Sequence, residues 1–273
     1  MRMFRTLLMS ISIIVCLSVK GFAQQQNAWQ VGENIRLTIS YTFGFIELKA
    51  AQANITANAC KYEGKDAVTL EIGAKTIKAF KAFKVRDTLR AIVDAKTMEP
   101  YFTQVQSHED DYFASFQTTY KKDENGENLL RIKKYKRDGL KKDTTIRNEK
   151  MYLDVVTILY GLRNTDFSKI YKNQKMPMPS VFQMDLYDLY WRYAGKELIT
   201  LRKGETYKCL KICPYFVEGD LFDKGEVMTI WLTDDQNKIP ILIESKLKIG
   251  SIRAVMENVK GNKYPMTSKV AKQ

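Results

Sequence analysis

IRLTISYTF, residues 35–43, alternates without interruption. Ile35, Leu37, Ile39, Tyr41 and Phe43 share one parity, and Arg36, Thr38, Ser40 and Thr42 the other. Successive side chains of an extended chain point to opposite faces, so this segment makes a ribbon with one apolar and one polar side. A helix, with its 3.6-residue repeat, would spread the same apolar residues around its whole circumference. The segment therefore reads as a half-buried strand.

Further runs follow at 52–59 and 67–74, parted by the turn Glu63-Gly64-Lys65-Asp66, then at 89–94 and 101–107, in the pattern of a meander. Residues 113–120 and 129–136 flank Asp123-Glu124-Asn125-Gly126-Glu127, a loop dense in turn formers. The basic stretch RIKKYKRDGLKK, 131–142, reads as an exposed hairpin turning at Asp138-Gly139. One segment breaks the period of two. In residues 152–162 Val155, Ile158, Leu159 and Leu162 share a helical face, with Asp154 near the positive end of the helix dipole. That helix is expected to plug or cap the sheet.

Pro177 and Pro179 read as a break, after which strands are expected at 181–193, 198–201, 207–212, 227–232, 239–248 and 251–259. No Pro- or Ser-rich linker and no internal repeat interrupts the series. The expected fold is mainly β, a curved, roll-like or barrel-like antiparallel sheet with one short helix packed on it, forming a single domain over residues 24–273.

Residues 1–23 read differently. Arg2 and Arg5 precede the apolar run LLMSISIIVCLSV, 7–19, and Gly21 and Ala23 place small residues three and one positions before a cut. That is the grammar of a secretory signal peptide, cleaved after Ala23 to leave Gln24 as the first residue. Its 13 apolar residues fall short of the roughly 20 that span a bilayer. Cys16 raises lipidation as an alternative, but bulky Val15 precedes it and apolar residues continue beyond it. The expected location is the periplasm or cell envelope, and no later stretch is long and apolar enough to make an integral membrane protein.

The chain of 273 residues carries a formal charge of +13, of which Arg2, Arg5 and Lys20 contribute three, leaving +10 after cleavage. An exported basic protein meets lipid head groups, lipopolysaccharide and cell-wall polymers, so an anionic envelope surface is one reading of the charge, solubility alone is the favoured one, and no nucleic-acid partner is expected. Cys60, Cys209 and Cys213 remain after cleavage. On one extended strand Cys209 and Cys213 would stand about 13 Å apart, beyond the roughly 7 Å that a disulfide tolerates. Cys60 pairing with either of them, or three buried thiols, are the readings left open.

The order of several blocks resembles a known family. These are Gly32-Glu33, Asp94 with Met98-Glu99-Pro100, DVVTILYGLR at 154–163, GETYKCLKICP at 204–214, IWLTDD at 230–235, Lys238-Ile239-Pro240 and GSIRA at 250–254. Together they resemble the exported bacterial family called domain of unknown function 3108, and the leader's end, Phe22-Ala23-Gln24, resembles those of Bacteroidetes envelope proteins. The resemblance implies a periplasmic, chiefly β fold. It supplies no catalytic residues.

No P-loop, G-x-G-x-x-G, G-x-S-x-G, H-E-x-x-H or EF-hand pattern occurs, so no cofactor or metal is called for. His108, the only histidine, lies in Ser107-His108-Glu109-Asp110-Asp111, which reads as a solvated turn because neighbouring extended side chains diverge. Asp234-Asp235 reads as a hairpin loop; as a catalytic carboxylate pair it would need two groups held across a cleft. In YDLYWRY, 187–193, Tyr187, Leu189, Trp191 and Tyr193 share a face that reads as core, and tyrosine and tryptophan also suit a ligand pocket. Two functions are therefore carried forward. The first is non-enzymatic binding of an apolar or amphipathic ligand or an envelope partner, with Tyr187, Trp191, Tyr193 and Trp231 as lining. The second is a carboxylate-dependent hydrolase using His108, Asp234 and Asp235, and beside both stands an assembly role at anionic surfaces.

Overall fold

The computed structural model describes residues 27–78, 84–202, 204–218 and 223–271; the leader, Cys16 and the cut after Ala23 lie outside the described residues. The first eight strands are β1 (Asn34–Phe43), β2 (Ile46–Tyr62), β3 (Lys65–Thr76), β4 (Val85–Asp94), β5 (Pro100–Glu109), β6 (Tyr112–Lys122), β7 (Asn128–Lys136) and β8 (Gly139–Asn148). Helix α1 (Val155–Asn164) follows. Then come β9 (Lys175–Phe182), β10 (Asp185–Thr200), β11 (Thr206–Pro214), β12 (Met228–Thr233), β13 (Pro240–Lys246) and β14 (Ser251–Lys260). All fourteen strands of the described residues join one antiparallel sheet in the order β8-β7-β6-β5-β4-β3-β2-β1-β14-β13-β12-β11-β10-β9.

The first and last strands thus meet in the middle of the sheet, Asn34 opposite Lys260 and Thr42 opposite Ser251. β8 and β9 are the two edges. The barrel-like expectation holds in its curvature, while the hydrogen-bonded ladder stays open. Side chains bridge the gap: Tyr120, Leu130 and Ile132 from β6 and β7 pack with Tyr152 and with Val181 of β9. Successive connections of a meander alternate between its two ends. One end, the hairpin rim, carries the connections after β1, β3, β5, β7, β9, β11 and β13; the other carries the remaining turns, the helix, the entry to β1 and the exit from β14.

The alternation of residues 35–43 is realised on β1, where Ile35 and Leu37 are buried and Ile39 is half-buried. It fades toward the rim, and Phe43 is exposed. Helix α1 packs against β3, β4 and β9. Asp154 caps it, its Oδ1 accepting from the Val156 and Thr157 amides at 2.8 and 3.2 Å, an arrangement that satisfies two otherwise orphaned donors.

Two expectations are corrected. Residues 177 and 179 interrupt nothing, because β9 runs straight through both prolines. The Leu153 amide donates to the Pro179 carbonyl and the Val181 amide to the Leu153 carbonyl, each at 3.0 Å. On β9 the backbone polar groups of residues 177, 179 and 181 therefore face away from β10, so the prolines forfeit no ladder bond, which is why an edge strand tolerates them. The expected gap between 193 and 198 is instead a bulge within continuous β10, at Gly195. Gly195 has φ +100° and lies against the Lys172 stem, a backbone state that favours glycine.

At the β4–β5 turn Asp94 Oδ1 accepts from the Lys96 and Thr97 amides at 2.8 Å each, and Oδ2 accepts from the Tyr101 hydroxyl at 2.6 Å. The Tyr101 hydroxyl foremost, with the backbone amides, holds the Asp94 carboxyl down to about 2. Because the folded-state value lies below the ordinary value of about 3.9, this contribution to stability is complete above the ordinary value and is lost as pH falls through about 2. Asp94→Asn is expected to flatten the acid limb of the stability profile in that window, read as urea midpoints from about pH 4 down to about pH 2. An unchanged acid limb would show that the carboxylate does not hold the turn.

Candidate functional site

At the helix end of the sheet, opposite the rim, a charged cluster is closed off from water. Arg163 in the last turn of α1 donates from Nη1 and Nη2 to the two carboxylate oxygens of Glu33, at 2.5 and 2.8 Å. Its Nε and Nη2 also donate to the Asn237 carbonyl, at 3.1 and 3.0 Å. The two charged side chains are 1% and 0% exposed. The guanidinium stands 5.3 Å from the Tyr160 ring centre, and Trp29 meets that ring edge-on at 5.1 Å.

Asn237 extends the cluster, donating from Nδ2 to the Tyr264 carbonyl and accepting at Oδ1 from the Tyr264 amide, both at 2.8 Å. Asp235 accepts at Oδ1 from Thr233 Oγ1 and the Asn237 amide at 2.9 and 3.0 Å, and at Oδ2 from Ser268 Oγ at 2.7 Å. The arrangement clasps the entry to β1, the end of α1, the β12–β13 turn and the chain beyond β14. A buried ion pair repays its desolvation only when its hydrogen bonds are nearly complete, and here four guanidinium bonds are in place.

Asp234 points elsewhere and pairs with Lys196 at 2.7 Å. The adjacent carboxylates of Asp234 and Asp235 thus hold separate partners. His108 lies on β5, with six strands between it and β12, so the structure does not gather His108, Asp234 and Asp235. Only Asp110 and Asp111 of the His108 segment occupy the turn; Ser107, His108 and Glu109 belong to the strand. Among the described residues no three His, Cys, Asp or Glu side chains gather so as to hold a metal ion.

Trp191 and Tyr193 are buried on the helix side of β10, with the Phe167 ring at 5.8 and 5.4 Å from theirs. Leu162, Ile212, Ile230 and Leu232 complete that cluster. Tyr187 is half-buried nearer the rim. Trp231 projects from the opposite face to Ile230 and Leu232, donates its indole N–H to Glu197 Oε2 at 3.0 Å, and lies under Lys211 Nζ at 5.3 Å. Trp231 therefore belongs to a different cluster from Trp191 and Tyr193, whose rings fill space against their neighbours.

Cys60, Cys209 and Cys213 are free thiols, the last two on the single strand β11. Burial, with the charges of Asp234 and Asp235, pushes the Cys209 thiol up to about 12. A thiol held so far from ionisation is not an effective nucleophile.

A cleft of about 680 Å³ opens on the hairpin rim. Its lining includes Ile77 and Val85 as apolar wall, Lys75, Lys78, Lys84 and Arg86 as exposed cations, and His108 and Asp110 at one side. The local fold explains the convergence. Thr76 Oγ1 donates to the Val85 carbonyl at 3.0 Å and accepts from the Val85 amide at 2.7 Å, tying β3 to β4. The Asp110 amide donates to the Lys84 carbonyl at 2.9 Å, and the Lys84 amide to Asp110 Oδ1 at 3.1 Å, bringing the β5–β6 turn against that hairpin. Arg86 is the cross-strand neighbour of both Lys75 and His108. Like charges directly opposite one another cost stability, so the pairing of Lys75 with Arg86 has no folding rationale of its own.

The sequence blocks of the clasp, Gly32-Glu33, Leu162-Arg163 and Asp234 through Pro240, are far apart in the chain and meet in space. The family model for proteins of unknown function DUF3108 matches residues 36–257. The chain belongs to that family. No curated protein matches this DUF3108 chain. Among solved structures, a β-barrel-like protein of domain of unknown function DUF1849 from Brucella abortus is similar at 8% identity and a TM-score of 0.53, over 85% of this chain and 98% of that one. A protein from Bacteroides fragilis, named as exported and as having a YmcC-like fold, is similar at 11% identity and a TM-score of 0.34, over 85% and 96% of the two chains. The first likeness shows the fold. No helix among the described residues of the DUF3108 chain is long and apolar enough to cross a membrane.

Proposed function

We propose that this DUF3108 protein is an exported, non-enzymatic envelope protein that binds an amphipathic anion in the rim cleft. The observation that carries the reading is the composition of that cleft: apolar wall from Ile77 and Val85, and four exposed cations against the one carboxylate of Asp110. Its volume of about 680 Å³ lies within the range of small-molecule sites. A lipid or fatty acid fits that chemistry, its acid head among the lysines and its chain along the wall. The leader at residues 1–23 supports export, and Phe22-Ala23-Gln24 supports a Bacteroidetes envelope.

The hydrolase reading loses its support, since Asp235 is spent in the clasp and Asp234 on Lys196. Native purification of the processed chain, followed by extraction and mass spectrometry, tests the proposal. A bound anionic amphiphile at near one per chain is expected in the wild type and at least about tenfold less in Lys84→Glu/Arg86→Glu, which replaces two attractions by two repulsions. An equally loaded double variant would move the ligand elsewhere, and an empty wild type that also fails to take up added oleate would sink the reading.

A further inference from the structure

The exposed apolar residues are not scattered. Among the described residues, seven of the thirteen large exposed hydrophobic side chains sit at or next to connections of the hairpin rim. Phe45 is 108% exposed, Ile249 67%, Ile46 60% and Phe43 58%. These four form one patch, because the β13–β14 turn abuts the β1–β2 tip. The Tyr41 hydroxyl donates to the Ile249 carbonyl at 3.1 Å, and a Cβ on Gly250 would clash with the Thr42 carbonyl. Gly250, at φ +77°, is what permits that approach.

Tyr112, Leu140 and Phe182 mark three more connections of the same rim. Cations outnumber acids there, with Lys141 paired to Asp138 and Lys248 to Glu218. Lys246 and Lys248 flank the patch, Lys136, Arg137, Lys141 and Lys142 surround the β7–β8 turn, and the cationic cleft opens beside them. Fully exposed aromatic and branched side chains set among lysines match the interface of an anionic bilayer, which accepts apolar side chains below the head groups and attracts each nearby cation. Contiguous apolar surface of this kind on a soluble chain marks an interaction site.

We infer that the hairpin rim is a membrane-docking surface: the β1–β2 tip, with Ile249, inserts into an anionic phospholipid leaflet and presents the mouth of the cleft to it. The docking itself rests on Phe45 and Ile249, outside the cleft, so it stands apart from the ligand reading that it would serve. The charge complementarity selects a lipid surface over a second copy of the chain, whose own rim would carry the same excess of positive charge.

The test is co-sedimentation of the processed chain with vesicles of phosphatidylglycerol and phosphatidylcholine, and with phosphatidylcholine alone. Binding to the anionic vesicles is expected to weaken as salt rises from about 0.1 to about 0.5 M. It is expected to fall at least about tenfold in Phe45→Ser/Ile249→Ser, each serine removing apolar surface that the bilayer would cover. Phe45→Ser/Ile249→Ser leaves the cleft lining untouched and should keep the cleft ligand while losing docking, whereas Lys84→Glu/Arg86→Glu should lose the ligand and weaken only the salt-sensitive part of docking, so that failure of the cleft reading and failure of docking give different results. Equal binding by wild type and the tip variant, or no preference for anionic vesicles, overturns the inference. So does a concentration-dependent dimer that the tip variant abolishes, which would make the rim a self-association face.

Discussion

Arg163→Met is expected to lower the unfolding free energy by about 3–5 kcal/mol, the cost of leaving a buried carboxylate without its counter-charge. The loss has two parts: Glu33 forfeits both of its guanidinium bonds, and the Asn237 carbonyl forfeits two donors. Urea unfolding measures it directly. The companion variant Glu33→Leu/Arg163→Met separates the cost of an orphaned charge from any loss of packing, because apolar replacement of a whole buried pair is often close to neutral. Recovery of most of the lost stability in the double variant is the expected outcome. A single variant within about 1 kcal/mol of the wild type would show that the clasp is not holding these four segments together.

Trp191→Ala carries the second large effect, about 3–5 kcal/mol, from transfer of the ring to water and from the cavity left among rigid neighbours. Phe167, Leu162 and Ile212 line that cavity from three separate elements, which limits collapse. Trp191→Phe keeps an aromatic ring and should lose less than half as much. Chemical denaturation of both variants checks the ranking. The same proteins also separate the two ligand readings, since a ligand in the rim cleft should survive either substitution in the folded fraction. Ligand lost from folded Trp191→Phe would return the binding site to the β10 face.

The strands were readable wherever one face is buried and the other wet, as at Ile35, Leu37 and Ile39. Helix α1 was readable because its period departs from theirs. Local pattern failed at β9, because the fate of Pro177 and Pro179 depends on which way each missing N–H would have faced, and that is set by the partner strand. His108 was misplaced for a related reason: its acidic neighbours resemble a turn, and β4 recruits His108 and Glu109 into a strand. The aromatic face of β10 was visible as core, but parity on one strand carries no information that Trp231 faces the other side.

The clasp and the rim lay further out of reach. Glu33 and Arg163 are 130 residues apart, and nothing in either neighbourhood reports the other. Phe45 and Ile249 each look like an isolated exposed residue until the topology sets their turns side by side. The cationic cleft joins Lys75 and Arg86 across a hairpin to Asp110 of a separate turn. Spacing along the chain hides all of these, since each is produced by pairing between distant strands.

The central position of β1 imposes an order on assembly. A ribosome or an export channel delivers the chain amino end first, and β1 through β8 can zip together by local hairpins as they emerge. One side of β1 must then wait, its amides and carbonyls open to any passing strand, until the last segment arrives to pair Asn34 with Lys260. An unpaired edge is a template for wrong partners, and closure across so long a separation is slow. This protein's most vulnerable interval therefore falls between the synthesis of its first strand and its last, and a chaperone acting on it has the free side of β1 to guard.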